Sequence, residues 1–179
     1  MPRQDATRID VVRDDLVKAI HGAGDVGEAL VQEVSRSVQN TITGVGNVAG
    51  SLTQAITEVV HGTIQAVSET GGDIGAAAKG AVVGVIRGTG EAGSEQMHSI
   101  QQTAGAFISS TSRVAGDLGV AAKGLVEGAV DGAREVGLDV TEAATAAATG
   151  AIEAAGTIGA AARTKVRNAV KGTIAAIRE

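Results

Sequence analysis

Residues 72–88 (GDIGAAAKGAVVGVIRG) and residues 116–132 (GDLGVAAKGLVEGAVDG) are two versions of one sequence. They agree at ten of 17 positions and lie 44 residues apart. The register continues at half that distance, because a branched apolar residue recurs with a 22-residue period and without an insertion. This column comprises Ile20, Ile42, Ile64, Ile86, Ile108, Val130, Ile152 and Ile174. An internal repeat kept over most of the chain predicts a repetitive architecture.

Within each unit the apolar residues have the spacing of an amphipathic helix. Val12, Leu16, Ile20, Ala23 and Gly27 follow one another at steps of four or three residues. Six such turns make up one 22-residue unit, which gives about 3.67 residues per turn, the pitch of an eleven-residue helical repeat. We therefore predict an all-α fold of gapless 22-residue repeats. The repeats would form one very long amphipathic helix of roughly 250 Å or two to three long helices folded back.

Helix breaks are expected where glycines cluster. Residues 71–73 (Gly-Gly-Asp) and the glycines at 88, 90 and 93 are the two sites, and Asp73 could cap a new helix. The units divide the chain into a charged segment at residues 1–8, seven repeats over residues 9–162 and a shortened eighth over residues 163–179.

Lines of glycine run beside the apolar column at spacings of four residues. They are Gly80, Gly84 and Gly88, and again Gly124, Gly128 and Gly132. Glycine in a helix interior costs about 1 kcal/mol relative to alanine, so some contact must offset it. Small residues four apart let two helix backbones approach closely, and we predict Gly- and Ala-mediated helix packing along these lines.

The composition supports extended contacts between small side chains. The chain of 179 residues contains 26 Gly, one Phe and no Trp, Tyr or Cys. Without large aromatic side chains, a core must be built from many close contacts of Ala, Val and Ile. The lack of cysteine excludes disulfides, thiolate metal ligands and thiol nucleophiles.

Charge is distributed unevenly about a net value of -5. Residues 19–162 carry 15 acidic and six basic side chains, and such an acidic body is a poor match for nucleic acid. The segment over residues 163–179 is basic. Its cations, which we consider for contact with an anionic surface, are Arg163, Lys165, Arg167, Lys171 and Arg178. We expect neither a signal peptide nor a transmembrane helix, and a location in the cytoplasm or peripheral to an internal membrane or particle.

One stretch resembles a dinucleotide-binding turn. Gly22, Gly24 and Gly27 form Gly-x-Gly-x-x-Gly, but the pattern recurs at residues 88, 90 and 93, three units later. A cofactor turn is made once and needs an acidic residue about twenty positions on, where this chain has Asn47. His21, His61 and His98 occupy different repeat columns, and we interpret them as polar-face residues and not as metal ligands. We therefore predict no catalytic residue, no cofactor and no metal, and expect that the protein is not an enzyme.

In repeat length and helix pitch the chain resembles the amphipathic repeat proteins with eleven- and 22-residue units, such as exchangeable apolipoproteins, synucleins and perilipins. That resemblance implies reversible coating of lipid or other apolar surfaces. From the repeat itself we expect a structural protein that associates with itself, its apolar column forming the assembly face of an oligomer, filament, tube or shell. A peripheral coat on a lipid surface and a stress or desiccation protectant are the alternatives.

Overall fold

In the computed structural model, the described residues are 31, 32, 35, 36, 49–70, 73–91 and 96–178, and residues 49–178 contain six consecutive helices. They are α1 (Ala49–Thr70), α2 (Ile74–Glu91), α3 (Gln96–Arg113), α4 (Leu118–Val136), α5 (Val140–Ile158) and α6 (Ala160–Arg178). No strand occurs among the described residues, so the all-α prediction is confirmed. The expected single rod, or two to three long helices, is wrong, because no described helix exceeds 22 residues.

The long helix is interrupted by short turns that the apolar spacing did not reveal. Before α4, Ala115 has a left-handed φ of 56°, and the Asp117 carboxylate accepts hydrogen bonds from the Gly119 and Val120 amides. Before α5, Gly137 has a φ of 79°, and Asp139 accepts from the Glu142 amide. A left-handed residue ends one helix and an aspartate begins the next, because each satisfies backbone groups left free at a helix end.

A break between helices is present at Asp73, within the predicted stretch. Helix α1 ends at Thr70, and the Asp73 carboxylate accepts hydrogen bonds from the Gly75 and Ala76 amides at 2.8 and 3.3 Å. Near the second glycine cluster, α2 ends at Glu91. Helices α2, α3, α4 and α5 begin at residues 74, 96, 118 and 140, so successive starts follow the 22-residue period. Only Gly159 separates α5 from α6.

The helices form two layers, because each packs most extensively against the helix two places along the chain. The closest pairs are α2 with α4 and α3 with α5. Successive residues of α2 contact successive residues of α4 in the same order, so these two helices run parallel. Helices α1, α3 and α5 therefore make one layer, and α2, α4 and α6 make the other.

The apolar column lies between these layers. Ile64, Ile86, Ile108 and Val130 are buried, and Ile152 and Ile174 are partly buried against the same core. Ile20 and Ile42 lie outside the described residues. Since the chain's own helices cover the buried members, contact between copies through this column stays a prediction that requires the layers to separate.

The rest of the core consists mainly of alanine and valine. Its largest side chain is Phe107 of α3, the only Phe, Tyr or Trp of the chain, which is fully buried. Among the described helices, none combines the length and the apolar character needed to cross a membrane.

Candidate helix-docking surface

The closest approach between helices lies where α4 packs on α2. A Cβ atom added to Gly124 would collide with the Gly75 carbonyl oxygen, and one added to Gly128 would lie 2.6 Å from the Lys79 carbonyl oxygen. At Gly132 the obstacle is the Ile86 side chain, also at 2.6 Å. Since real Cβ contacts are not this short, Gly124 and Gly128 hold glycine because the α2 backbone occupies the space of a side chain, whereas the end of the Ile86 side chain can shift.

An ion pair accompanies this approach. The ammonium group of Lys79 lies 2.8 Å from the carboxylate of Asp131, three residues after Gly128. The hydrogen bond to Asp131 raises the pKa of Lys79 above its ordinary value. One residue of α2 thus touches α4 twice, its carbonyl oxygen at the glycine and its side chain at the acid. We call Lys79, Gly128 and Asp131 the first stacking triad.

A second ion pair extends the α2–α4 contact toward the helix ends. Arg87 donates to both carboxylate oxygens of Glu135, at 2.8 and 3.1 Å. A two-pronged arginine–carboxylate pair fixes orientation as well as distance. Both pairs are partly exposed, so each contributes at most about 1 kcal/mol. Their main effect is to set the register of α4 on α2.

The other layer contains an equivalent arrangement, one 22-residue unit further along. A Cβ atom on Gly150 of α5 would collide with the carbonyl oxygen of Gln101 in α3. The Gln101 amide donates to the Glu153 carboxylate at 3.3 Å, and Glu153 is again three residues after the glycine. Gln101, Gly150 and Glu153 form the second stacking triad.

The corresponding place between α4 and α6 is open. The residues equivalent to the second stacking triad, one 22-residue unit later, are Lys123, Gly172 and Ala175. No heavy atom lies within 4 Å of a Cβ atom placed on Gly172. A groove of about 440 Å³ separates the helices there, and its lining includes Asn168 and Ala176. The acid is missing at residue 175, and Lys123 instead pairs with Glu127 of its own helix at 3.9 Å.

Helix α6 is held near its beginning by a different contact. Lys165 lies 3.2 Å from Asp117, the residue that caps α4. Hydrogen bonds from the Val120 amide and then from Lys165 hold the pKa of Asp117 below its ordinary value. Because the connection before α6 is the single residue Gly159, α6 begins two positions earlier than the 22-residue period would place it. Helix α6 thus contacts α4 near its beginning, while the groove lies along its later half.

The outer side of α6 carries most of the predicted basic residues. Arg163, Arg167 and Lys171 are exposed and lie at steps of four on one side of the helix. Lys165 is exposed as well, but it pairs with Asp117. The side chain of Arg178 lies outside the described residues. We call Arg163, Arg167 and Lys171 the α6 outer face.

The structure places the other candidates as follows. Gly80, Gly84 and Gly88 are buried within α2, so Gly88 stands inside a helix and not in a turn. Gly22, Gly24, Gly27 and His21 lie outside the described residues.

The two described histidines lie in different surroundings. Burial of His61, with the charge of Arg113 as a smaller cause, lowers the pKa of that side chain. His98 lies 2.9 Å from the amide nitrogen of Gln102. The described residues contain no group of three or more His, Asp or Glu side chains arranged for a metal ion.

Sequence reasoning found the glycines of α4 but missed the residues that pair across them. Lys79 and Gln101 precede the glycines that they contact by more than two repeat units. The available signal was the acid three residues after Gly128 and after Gly150. Compared with known proteins, the sequence matches no protein-family model and no curated protein. The likeness to apolipoprotein-type repeats therefore stays a prediction.

Proposed function

We propose that this protein is a non-enzymatic structural protein that works by stacking small-residue helices, first within the chain and then between copies of it. The observation that carries this proposal is the recurrence of one contact, since the first and second stacking triads are related by a shift of one 22-residue unit. We infer that this unit is one helix with its turn, and that Gly and Ala set the spacing between units.

Recurrence of the contact supports association between copies. A helix that fits one interface of such a stack can fit an equivalent interface in another molecule, which is the basis of domain swapping. The interface between α4 and α6 is the place where exchange would begin, because its groove is already open. Contacts formed in this way need not close on themselves, so chains can extend into oligomers or filaments.

Sedimentation velocity over a wide range of concentration, followed by negative-stain microscopy, tests this proposal. We expect species larger than the monomer to increase with concentration while helix content stays constant. Gly150→Leu forces α5 away from α3 and should change the assembly. Gly156→Leu is the matched control, because Gly156 is an exposed residue of the same helix and a Cβ atom there meets only the Arg163 side chain, at 3.5 Å. A chain that remains monomeric at every concentration would contradict self-association.

The alternative of a lipid coat has a different requirement. The large apolar side chains exposed among the described residues are Val114, Val120, Val136 and Ile158, each 41–43% accessible. Coating a lipid surface through the apolar column would therefore need the two layers to open. Circular dichroism of the backbone cannot see this opening, since helices persist, but cross-linking between the layers can. Liposomes that abolish a cross-link between α2 and α3 would favour the coat over self-assembly.

A further inference from the structure

The α6 outer face is equivalent, in the 22-residue repeat, to the surface of α2 that contacts α4. Arg163, Arg167 and Lys171 stand four repeat units after Gly75, Lys79 and Val83, which is two steps within the α2–α4–α6 layer. The inner sides of the two helices agree, since Val166 and Val170 are buried as are their counterparts in α2, Ala78 and Val82. Helix α6 therefore faces the core with the same side as α2.

The outer sides differ in what covers them. In α2 this surface lies under α4, with Lys79 in the first stacking triad. In α6 all three cations are exposed, and no carboxylate of the described residues lies within ion-pair distance of them. Arg167 stands at the place of Lys79, so α6 presents one half of a stacking triad.

The acidic residues of α4 indicate which residues a partner helix needs in order to complete this triad. Glu127, Asp131 and Glu135 follow one another at steps of four, each three residues after a glycine of the α4 line. The cations of the α6 outer face have the same spacing. A helix with the α4 pattern, placed on α6 as α4 lies on α2, brings the acid at the place of Asp131 to Arg167. The acid at the place of Glu135 pairs with Arg87 in α2, but the equivalent residue of α6 is Ala175, so its nearest cation on α6 is Lys171, one turn earlier.

A second copy stacked in continuous register lacks this pattern. A shift of eight repeat units brings Arg36 and Asn40 of the next chain to the places of Gly124 and Gly128. Thr43 would stand at the place of Asp131. In a folded second copy, the glycine face of α4 is already covered by α2. The partner is therefore a helix other than those of a second folded copy.

We propose that the α6 outer face docks an α-helix of a partner protein that repeats Gly-x-x-Asp or Gly-x-x-Glu at four-residue steps. The glycine of that helix receives the Arg167 backbone, and its acids pair with the three cations. This docking is independent of self-association, since it uses a surface that remains on the outside of a single chain.

A peptide of residues 118–136 is the probe, with a hydrocarbon bridge between positions 122 and 126 to hold it helical. Fluorescence anisotropy measures its binding to the full chain. We expect Arg167→Glu in the full chain to weaken the affinity at least about tenfold, since a close charge pair is replaced by repulsion. Arg134→Glu, at an exposed cation outside this face, should change it less than about twofold.

A charge-reversed pair gives the decisive control. A chain with Arg163→Glu, Arg167→Glu and Lys171→Glu should lose the probe and bind a peptide carrying lysine at positions 127, 131 and 135. Absence of binding by the unaltered chain, or equal effects of Arg167→Glu and Arg134→Glu, would overturn the proposal. Binding to vesicles of anionic lipid without binding to the peptide would also overturn it, since the face would then recognise lipid headgroups.

Discussion

The interface of α2 with α4 and that of α4 with α6 occupy equivalent places in one layer, yet only the first is closed. In the first, Gly128 admits the Lys79 backbone and Asp131 holds the Lys79 side chain. The second retains the glycine, Gly172, but has lost the acid and the regular helix start. Glycine alone thus permits a close approach, while the acid and the turn bring it about.

The largest expected difference between the two interfaces lies in the apolar column. Ile86 of α2 is fully buried and Ile174 of α6 only partly. We expect Ile86→Ala to lower the free energy of unfolding by about 3–4 kcal/mol, through lost burial and a cavity. Ile174→Ala should cost about 1 kcal/mol, because its site is partly hydrated already. Urea unfolding followed by circular dichroism measures both, and equal losses would show that α6 packs as firmly as α2.

Substitution of the equivalent glycines by alanine should change the free energy of unfolding in opposite directions. Gly128→Ala places a methyl group against backbone atoms of Lys79 and should lower the free energy of unfolding by about 1–2 kcal/mol after its gain in helix propensity. Gly172→Ala meets nothing within 4 Å and should raise it by about 0.5–1 kcal/mol. The same urea experiment applies. Stabilisation by both substitutions would contradict the close approach at Gly128.

Supplying the missing acid should partly close the second interface. Ala175→Glu places a carboxylate three residues after Gly172, where Lys123 can reach it as Lys79 reaches Asp131. We expect a gain of about 0.5 kcal/mol, the usual size for a partly exposed pair. A double-mutant cycle with Lys123→Gln isolates the coupling. A coupling of zero would mean that the altered helix start alone keeps the groove open.

The smallest effect concerns pH and the contact that holds α6 near its beginning. Because the folded pKa of Asp117 lies below that of the unfolded chain, its contribution to stability is complete above the ordinary value of 3.8. That contribution is lost as the pH falls through the folded pKa. Asp117→Asn should therefore lower stability at neutral pH and flatten its decline in acid. Carboxyl titration by NMR checks the direction, and a titration at or above 3.8 would contradict it.

The sequence predicted which residues are buried better than it predicted the length of each helix. The period indicated helices, and the described members of the isoleucine column do contact the core. Helix length was mispredicted for a physical reason: six continuous turns fill one 22-residue unit, but so do 18 or 19 helical residues and a short turn. The apolar residues keep the same 22-residue period across such a turn, so their spacing does not reveal it. The residues that interrupt the helix, Ala115 before Asp117 and Gly137 before Asp139, carry the missing signal.

The stacking triads were only half visible in the sequence. Gly124, Gly128 and Gly132 stood out because their spacing marks a line along one helix. Lys79 and Gln101 did not, since a contact between distant repeat units depends on which helices become neighbours. That choice follows from the turns, which place each helix on the one two positions earlier. Once the turns are known, the acid three residues after each glycine indicates the residue with which it pairs, Lys79 for Asp131 and Gln101 for Glu153.

Phe107 gives this molecule a single optical reporter at its centre. Because the chain has no tryptophan or tyrosine, every aromatic signal in the near ultraviolet arises from this one ring. The ring is fully enclosed between the layers. Its circular dichroism in that region will therefore vanish when the layers separate even if all the helices survive, so loosening of the core can be observed apart from loss of helix without attaching a probe.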